Sequence, residues 1–140
     1  MHTVRAVGLA TQAIRATTPG RKLGVRGPFG EPWPVADVEG ADVVIAAGGI
    51  GLAPLRPAIL WLLARRERFG RLVLLYGGRG PDQLLCTDEL ASWSARGLEV
   101  HVTVDSAGPD WIGHVGVVTR LVSRAQLDPG ARSRSRAVRR

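Results

Sequence analysis

The 140-residue chain has one cysteine, Cys86, one methionine and one tyrosine, and only 5% of its residues are aromatic. A lone thiol cannot close an internal disulfide, so nothing asks for an oxidising compartment. Nor can it supply the four thiolates of a [2Fe–2S] centre. The three histidines, His2, His101 and His114, share no ligand spacing and have no cysteine or acid clustered with them, so no metal site is expected. No apolar run has the length of a membrane span, and the opening MHTVRAVGLA lacks the roughly 7–15-residue apolar core of a secretion signal. The expectation is a cytoplasmic protein without a membrane span. There is no internal repeat at a fixed period.

Acidic residues are also scarce, 12 against 19 Lys and Arg, for a net charge of +7. The excess is local. The last ten residues, ARSRSRAVRR, hold five arginines and no acid, and without them the body carries +2. The basicity belongs to a tail, so a nucleic-acid partner is not the expectation. What remains is an ordinary globular composition, 45% hydrophobic and 22% charged, with 18 glycines and 9 prolines gathered mostly at turns.

Along the chain, residues 2–8 alternate as a half-buried strand does, residues 9–20 form a turn or short helix closed by Pro19-Gly20, and residues 22–30 read as another strand ending in a tight turn. The Pro-rich stretch 31–40 behaves as a linker. Then a rhythm sets in. DVVIAA (42–47) is a β-branched run of the kind buried on both faces of a sheet. The segment 54–70 follows as a helix with Leu55, Ile59, Leu62 and Leu63 on one face. Pro54 suits its first turn, Arg65, Arg66 and Arg68 its end, and Gly70 its stop. RLVLLY (71–76) is a second buried strand, and 87–97 a helix with Thr87 as N-cap. LEVHVTV (98–104) is a third strand and 115–127 a third helix. This alternation predicts an α/β fold with a parallel sheet and helices on both faces.

Three glycines and a proline, AGGIGLAP, stand where the first of these strands hands over to its helix. In open parallel sheets ligands bind beyond the carboxyl ends of the strands, and helix N-termini favour anions there. Gly48, Gly49 and Gly51 allow positive φ and leave room for a phosphate, while Pro54 starts the helix without wasting a donor. No Lys-Ser/Thr follows, which argues against a triphosphate cradle. A turn that merely lets strand and helix pack closely explains the same glycines.

Taken together, GLATQAI (8–14), RGPFG (26–30), AAGGIGLAPLRPAI (46–59), LLYGGRGPDQLLCTDEL (74–90) and VTVDSAGPDWIGHVGVVTRLV (102–122) resemble, in order and spacing, the ferredoxin–NADP reductase superfamily. The likeness is greatest to the FAD- and NAD(P)-binding gamma subunits of cytoplasmic hydrogenase/sulfur reductase and to the corresponding subunit of anaerobic sulfite reductase. It covers residues 2–128. The resemblance implies a partial doubly wound, Rossmann-like parallel sheet preceded by a remnant of an antiparallel flavin-binding β-barrel. Residues 1–34 are then the barrel remnant, 35–128 an NAD(P)-binding domain lacking its last strands, and 129–140 a basic disordered tail.

The resemblance further implies NAD(P)H held by Gly48, Gly49, Ile50, Gly51, Leu52, Ala53, Pro54, Gly77, Gly78, Arg79 and Asp105. FAD would be held by Gly8, Ala10, Thr11, Gln12, Pro28, Phe29 and Gly30. Hydride passes from nicotinamide to flavin, and electrons pass on to an iron–sulfur acceptor supplied by partner oxidoreductase subunits; the family's [2Fe–2S] ligands are absent here. The cofactors carry this chemistry, so no side chain is needed as a catalytic acid or base. Arg79 is placed to meet a 2′-phosphate or to be a solvated loop residue, and Asp105 to bind nucleotide or cap its loop. Trp111 is placed to border the nucleotide or to pack, as Trp33, Trp61 and Trp93 are, and Cys86 is expected to act as a small buried hydrophobe.

Against the family pattern, most of the barrel is missing before residue 1, and the fourth strand with its Cys-Gly-Pro is missing after residue 128. In the family order 3-2-1-4-5 that loss leaves the first strand at an open edge, a pairing liability. The chain therefore reads as a truncated fragment. Two other readings stay open, a non-catalytic remnant that keeps a partial nucleotide fold and a basic-tailed binding module.

Overall fold

The computed structural model describes residues 2–125. The chain divides into two compact units, Met1–Pro34 and Val35–Arg140.

In the second unit, the most apolar segment becomes its centre. Strand β2, Leu72–Gly78, is buried at all seven positions because it lies between two neighbours and is covered on both faces. Strand β1, Val43–Gly48, pairs with it in parallel from Val43 opposite Leu72 to Gly48 opposite Gly77. On its other side β3, Leu98–Val104, runs parallel from Leu98 opposite Leu72 to Val104 opposite Gly78. A fourth strand, β4, His114–Val115, adds a two-residue parallel pairing to the end of β3, so the order is β1-β2-β3-β4.

The period of two along each strand divides the apolar residues between two layers. Ile45, Ala47, Leu72, Leu74, Tyr76 and Leu98 face a main core completed by helix α2, Leu52–Leu63, and helix α3, Thr87–Ala95. Leu52, Ile59, Leu62 and Leu63 of α2 and Trp93 of α3 fill it. Val73 and Leu75 point the other way, to a smaller cluster with Val118, Leu121 and Ala125 around helix α4, Arg120–Arg124. Helices therefore lie on both faces, as the alternating pattern predicts.

Three expectations need correction. Strand β1 is not buried on both faces. Ile45 and Ala47 are buried while Val44 and Ala46 are exposed, because the α4 cluster reaches Val73 and Leu75 but includes nothing of β1. The helix expected to run to residue 70 stops at Leu63, and a 3-10 turn, Arg66–Arg68, follows. A continuous helix would set Trp61 and Phe69 about 12 Å apart along its axis. Their rings instead meet edge to face at 6.1 Å, with Phe69 buried. Finally, the helix expected over 115–127 is shortened at its start. The Thr103 hydroxyl donates toward the His114 and Gly116 carbonyls (3.2 and 2.7 Å), and the Gly116 amide donates to Val104 O (2.8 Å), which holds 114–116 to the sheet. Residues 126–127 of that helix and the basic tail 129–140 lie outside the described residues.

The first unit contains helix α1, Leu9–Arg15, and no strand among its described residues. The two strands read from the alternation of 2–8 and 22–30 are absent, and with them the barrel pairing. A strand satisfies its amides and carbonyls only through a neighbouring strand. The apolar residues that suggested them, Val4, Val7, Leu23 and Val25, are exposed. Helix α1 itself is set by Thr11. Its hydroxyl accepts the amides of Val7 and Gly8 and donates to Gly8 O, each at 3.0 Å.

Trp93, 1% exposed, is the largest fully buried side chain of the main core. Trp93→Ala should lower stability by about 3–5 kcal/mol, read as an earlier midpoint in chemical unfolding of the whole chain.

Candidate functional site

Parallel strands in register end together. The carboxyl ends of β1, β2 and β3 (Gly48, Gly78 and Val104) therefore form one rim of the sheet, from which three loops leave. The first is the 3-10 turn Gly49–Gly51, which runs straight into α2. The second carries Arg79, Gly80 and the 3-10 turn Pro81–Gln83 to the start of α3. The third begins at Asp105. It is stitched to the second by Asp105 N–H to Gly78 O (2.9 Å) and by Ser106, whose amide and hydroxyl both donate to Arg79 O (3.1 and 3.3 Å).

The glycines of this rim fall into two groups. Among the described residues, nothing lies within 4 Å of a Cβ added at Gly48, Gly49 or Gly51, so the space in front of the first turn is open there. Only Gly49, at φ +50°, uses a conformation that favours glycine; Gly48 and Gly51 have φ −122° and −61°, which any residue adopts. The expectation of positive φ throughout the turn is corrected to this one position. At Gly77 and Gly78 the space is already filled. An added Cβ would come within 2.9 Å of Val118 and 2.8 Å of Leu84, so both glycines serve close packing of the chain on itself.

Helix α2 opens on this empty space. The N-terminus of a helix is the positive end of its dipole and favours anions, although here the Leu52 amide already bonds Gly49 O and Ile50 O and Pro54 has no amide hydrogen. Pro54 lies in the first turn, as expected. The Leu52 side chain is fully buried in the core and its amide is bonded inside the turn, so Leu52 shapes the turn rather than facing the open space. Ile50 and Arg79 are exposed at the rim, as is Asp105. A shallow pocket of about 270 Å³, lined by Pro81, Gly108, Asp110 and Trp111, lies where the second and third loops meet.

Two connections tie the first loop to the second, and neither is visible as a local pattern. The only tyrosine, Tyr76, is fully buried on β2. Its hydroxyl donates to Gly49 O (3.2 Å) and accepts the Leu85 amide (2.7 Å). Burial raises the phenol's pKa, chiefly by desolvation. The available signal was chemical, since a buried tyrosine hydroxyl needs partners. The second connection is a forked ion pair from Arg56 of α2 to Glu89 of α3, with Arg56 Nε at 2.9 and 3.1 Å and Nη2 at 2.7 Å from the carboxylate oxygens. The hydrogen bond from Arg56 lowers the pKa of Glu89. Between the two stands Cys86, partly buried, its thiol pKa raised by desolvation and then by Glu89. Cys86, at φ +55°, rather than Thr87, is the N-cap of α3, and the Glu89 amide bonds its carbonyl at 2.9 Å.

The other expected site residues lie in the unit Met1–Pro34. Gly8 is the N-cap of α1, Ala10, Thr11 and Gln12 lie in its body, and the Gln12 amide bonds Gly8 O at 2.9 Å. The Thr11 hydroxyl spends its one donor and both acceptor positions inside this turn, which makes it a shaping residue. Pro28, Phe29 and Gly30 follow, with Phe29 exposed beneath the Arg26 guanidinium at 5.7 Å and Gly30 at φ +97°. Among the described residues no group of three His, Cys, Asp or Glu side chains is placed to hold a metal ion. No helix among them is long and apolar enough to cross a membrane.

Residues 45–136 match the family model described as the oxidoreductase NAD-binding domain. Over 101 residues the chain is 34% identical to the sulfhydrogenase 2 gamma subunit of Pyrococcus furiosus, covering 71% of this chain and 35% of that protein. Over 126 residues it is 32% identical to a probable dihydroorotate dehydrogenase B (NAD(+)) electron transfer subunit of Methanocella arvoryzae, covering 89% and 43%. Among solved structures, an NADH-dependent reduced ferredoxin–NADP oxidoreductase superposes with a TM-score of 0.65 at 28% identity, over 86% of this chain and 40% of that one. The CS-b5R domains of human Ncb5or in the NAD+ form give a TM-score of 0.75 at 17% identity, over 91% and 37%, a likeness of fold. The chain thus spans less than half the length of each of these proteins.

Gly77→Ala should cost about 1–3 kcal/mol by forcing Val118 aside, and Val118→Ala in the same chain should restore part of the loss; thermal melting of the three variants measures both. The Arg56–Glu89 pair has its own pH signature. Because Glu89 is lowered in the folded state, its contribution is present above the ordinary carboxylate range and fades as pH falls through the lowered value. Glu89→Gln should therefore reduce the melting temperature at about pH 7 and make no difference at about pH 2.

Proposed function

The chain belongs to the oxidoreductase NAD-binding domain family, and from that premise we propose that it is the NAD(P)H-binding part of a flavoprotein oxidoreductase subunit. The coenzyme lies across the strand ends. Its diphosphate sits on the main chain of residues 48–54, and its adenosine lies toward Gly78, Arg79, Asp105 and the Pro81–Trp111 pocket. The observation that carries this reading is the open space before Gly48, Gly49 and Gly51 at the N-terminus of a twelve-residue helix. An anion there meets the positive end of the helix dipole without displacing a side chain. Gly77 assists indirectly, by letting Val118 close the back of the rim.

NADH is favoured over NADPH. The second and third loops hold three carboxylates, Asp82, Asp105 and Asp110, against the single cation Arg79, so a 2′-phosphate would enter net negative charge. Residues 1–34 contribute to the flavin side, with Gly8, Ala10, Thr11 and Gln12 shaping a turn toward the FAD diphosphate and Pro28, Phe29 and Gly30 bordering the flavin. That segment carries five Lys or Arg residues against one acid, Glu31, which suits a doubly negative diphosphate. Bound flavin supplies the chemistry, accepting hydride from nicotinamide and releasing electrons one at a time. The residues of this chain bind and orient; none needs to move a proton. With one cysteine the residues present do not fit an iron–sulfur cluster, and on this reading partner oxidoreductase subunits of a cytoplasmic assembly carry the acceptor.

Titrating the purified chain with NADH in a calorimeter, and then following the flavin absorbance with FAD present, tests the reading. Saturable heat with NADH and bleaching of the flavin are expected; well-folded protein giving no heat with either NADH or NADPH overturns it. Gly48→Val sharpens the test. The added Cβ meets no described atom within 4 Å and valine suits the end of a strand, so folding should be little changed while NADH affinity falls at least about tenfold.

A further inference from the structure

We propose that the buried hydroxyl of Tyr76 is the positioning group of this rim. It holds the turn after β1 and the segment before α3 at a fixed separation, so that a dinucleotide spanning both binds in one geometry, although the phenol never touches it. The inference rests on the coenzyme reading given above and adds to it a residue outside the ligand's reach.

The hydroxyl has one proton and two lone pairs. The proton goes to Gly49 O at 3.2 Å, the carbonyl of the residue that turns the first loop at φ +50°. A lone pair takes the Leu85 amide at 2.7 Å, directly before the left-handed Cys86 that starts α3. One buried oxygen thus bridges two loops 36 residues apart in sequence (Gly49 and Leu85), at the end of the strand between them. The ring cannot shift to follow a moving loop, because Tyr76 is fully enclosed in the main core with Ile45, Ala47, Leu52 and Trp93. The Arg56–Glu89 pair links the two helices that follow these loops. Orientation set beforehand in this way is a large share of what a binding site contributes to reactivity.

Tyr76→Phe keeps the ring and deletes the bridge. Leu85→Pro deletes it from the other end and leaves the phenol intact; Leu84, before it, already has the extended backbone a following proline requires (φ −75°, ψ 131°). In the whole chain, NADH affinity should fall about tenfold in either variant, whereas adenosine, which has no phosphate to reach the first loop, should bind within about twofold of wild type. Hydrogen exchange should accelerate at residues 49–52 and at Leu85 in Tyr76→Phe and stay unchanged at Val100 in β3. NADH binding within about twofold of wild type in both variants overturns the proposal. So does an equal loss for NADH and adenosine with faster exchange at Val100, which would mark a general loss of stability. If the wild type binds no NADH, the coenzyme reading fails separately and exchange decides the bridge: acceleration confined to 49–52 and 85 supports it, and unchanged exchange refutes it.

Discussion

Everything at the rim follows from the burial of β2 on both faces. A strand reading LVLLYGG cannot expose either side to water, so it must sit between two neighbours and beneath helices on both faces. Parallel neighbours satisfy this, because each connection is long enough to carry a helix back across the sheet. The same arrangement sends all three carboxyl ends to one edge, where α2 and α3 also begin. The candidate site is thus a consequence of how the core is buried.

The glycines show how one residue type serves two physical ends within a few ångströms. Gly77 and Gly78 are small so that Val118 and Leu84 can lie against the sheet. Gly48, Gly49 and Gly51 face space that no described residue fills. In a packed interior, space is normally filled by the chain itself. An unfilled approach to a helix N-terminus is therefore a more specific sign of a ligand than glycine content alone. Tyr76 joins the two halves: its ring belongs to the core and its hydroxyl to the rim, so rigidity passes from one to the other through a single side chain.

Much of the second unit was legible in residue order because its signals are local. The β-branched and leucine runs located three strands within one to two residues, and the spacing of Leu55, Ile59, Leu62 and Leu63 identified the buried face of α2. Failures came where partners at long range decide. Val44 and Ala46 look as apolar as Val73 and Leu75, yet only the latter lie beneath α4. The alternation of residues 2–8 and 22–30 is a true strand pattern, but a strand is a relation between segments, and no second segment of the described unit takes that place.

Composition and spacing alone thus established the α/β alternation, the glycine turn at the first strand's end and the confinement of excess charge to the tail, since each depends on residues close together in the chain. Three-dimensional packing settled which glycines are filled and which stand open, where α2 gives way to Phe69, and how Tyr76 and the Arg56–Glu89 pair bind separate loops into one rim. These depend on atoms some 30 residues apart, brought together by a core whose shape no short window of sequence contains.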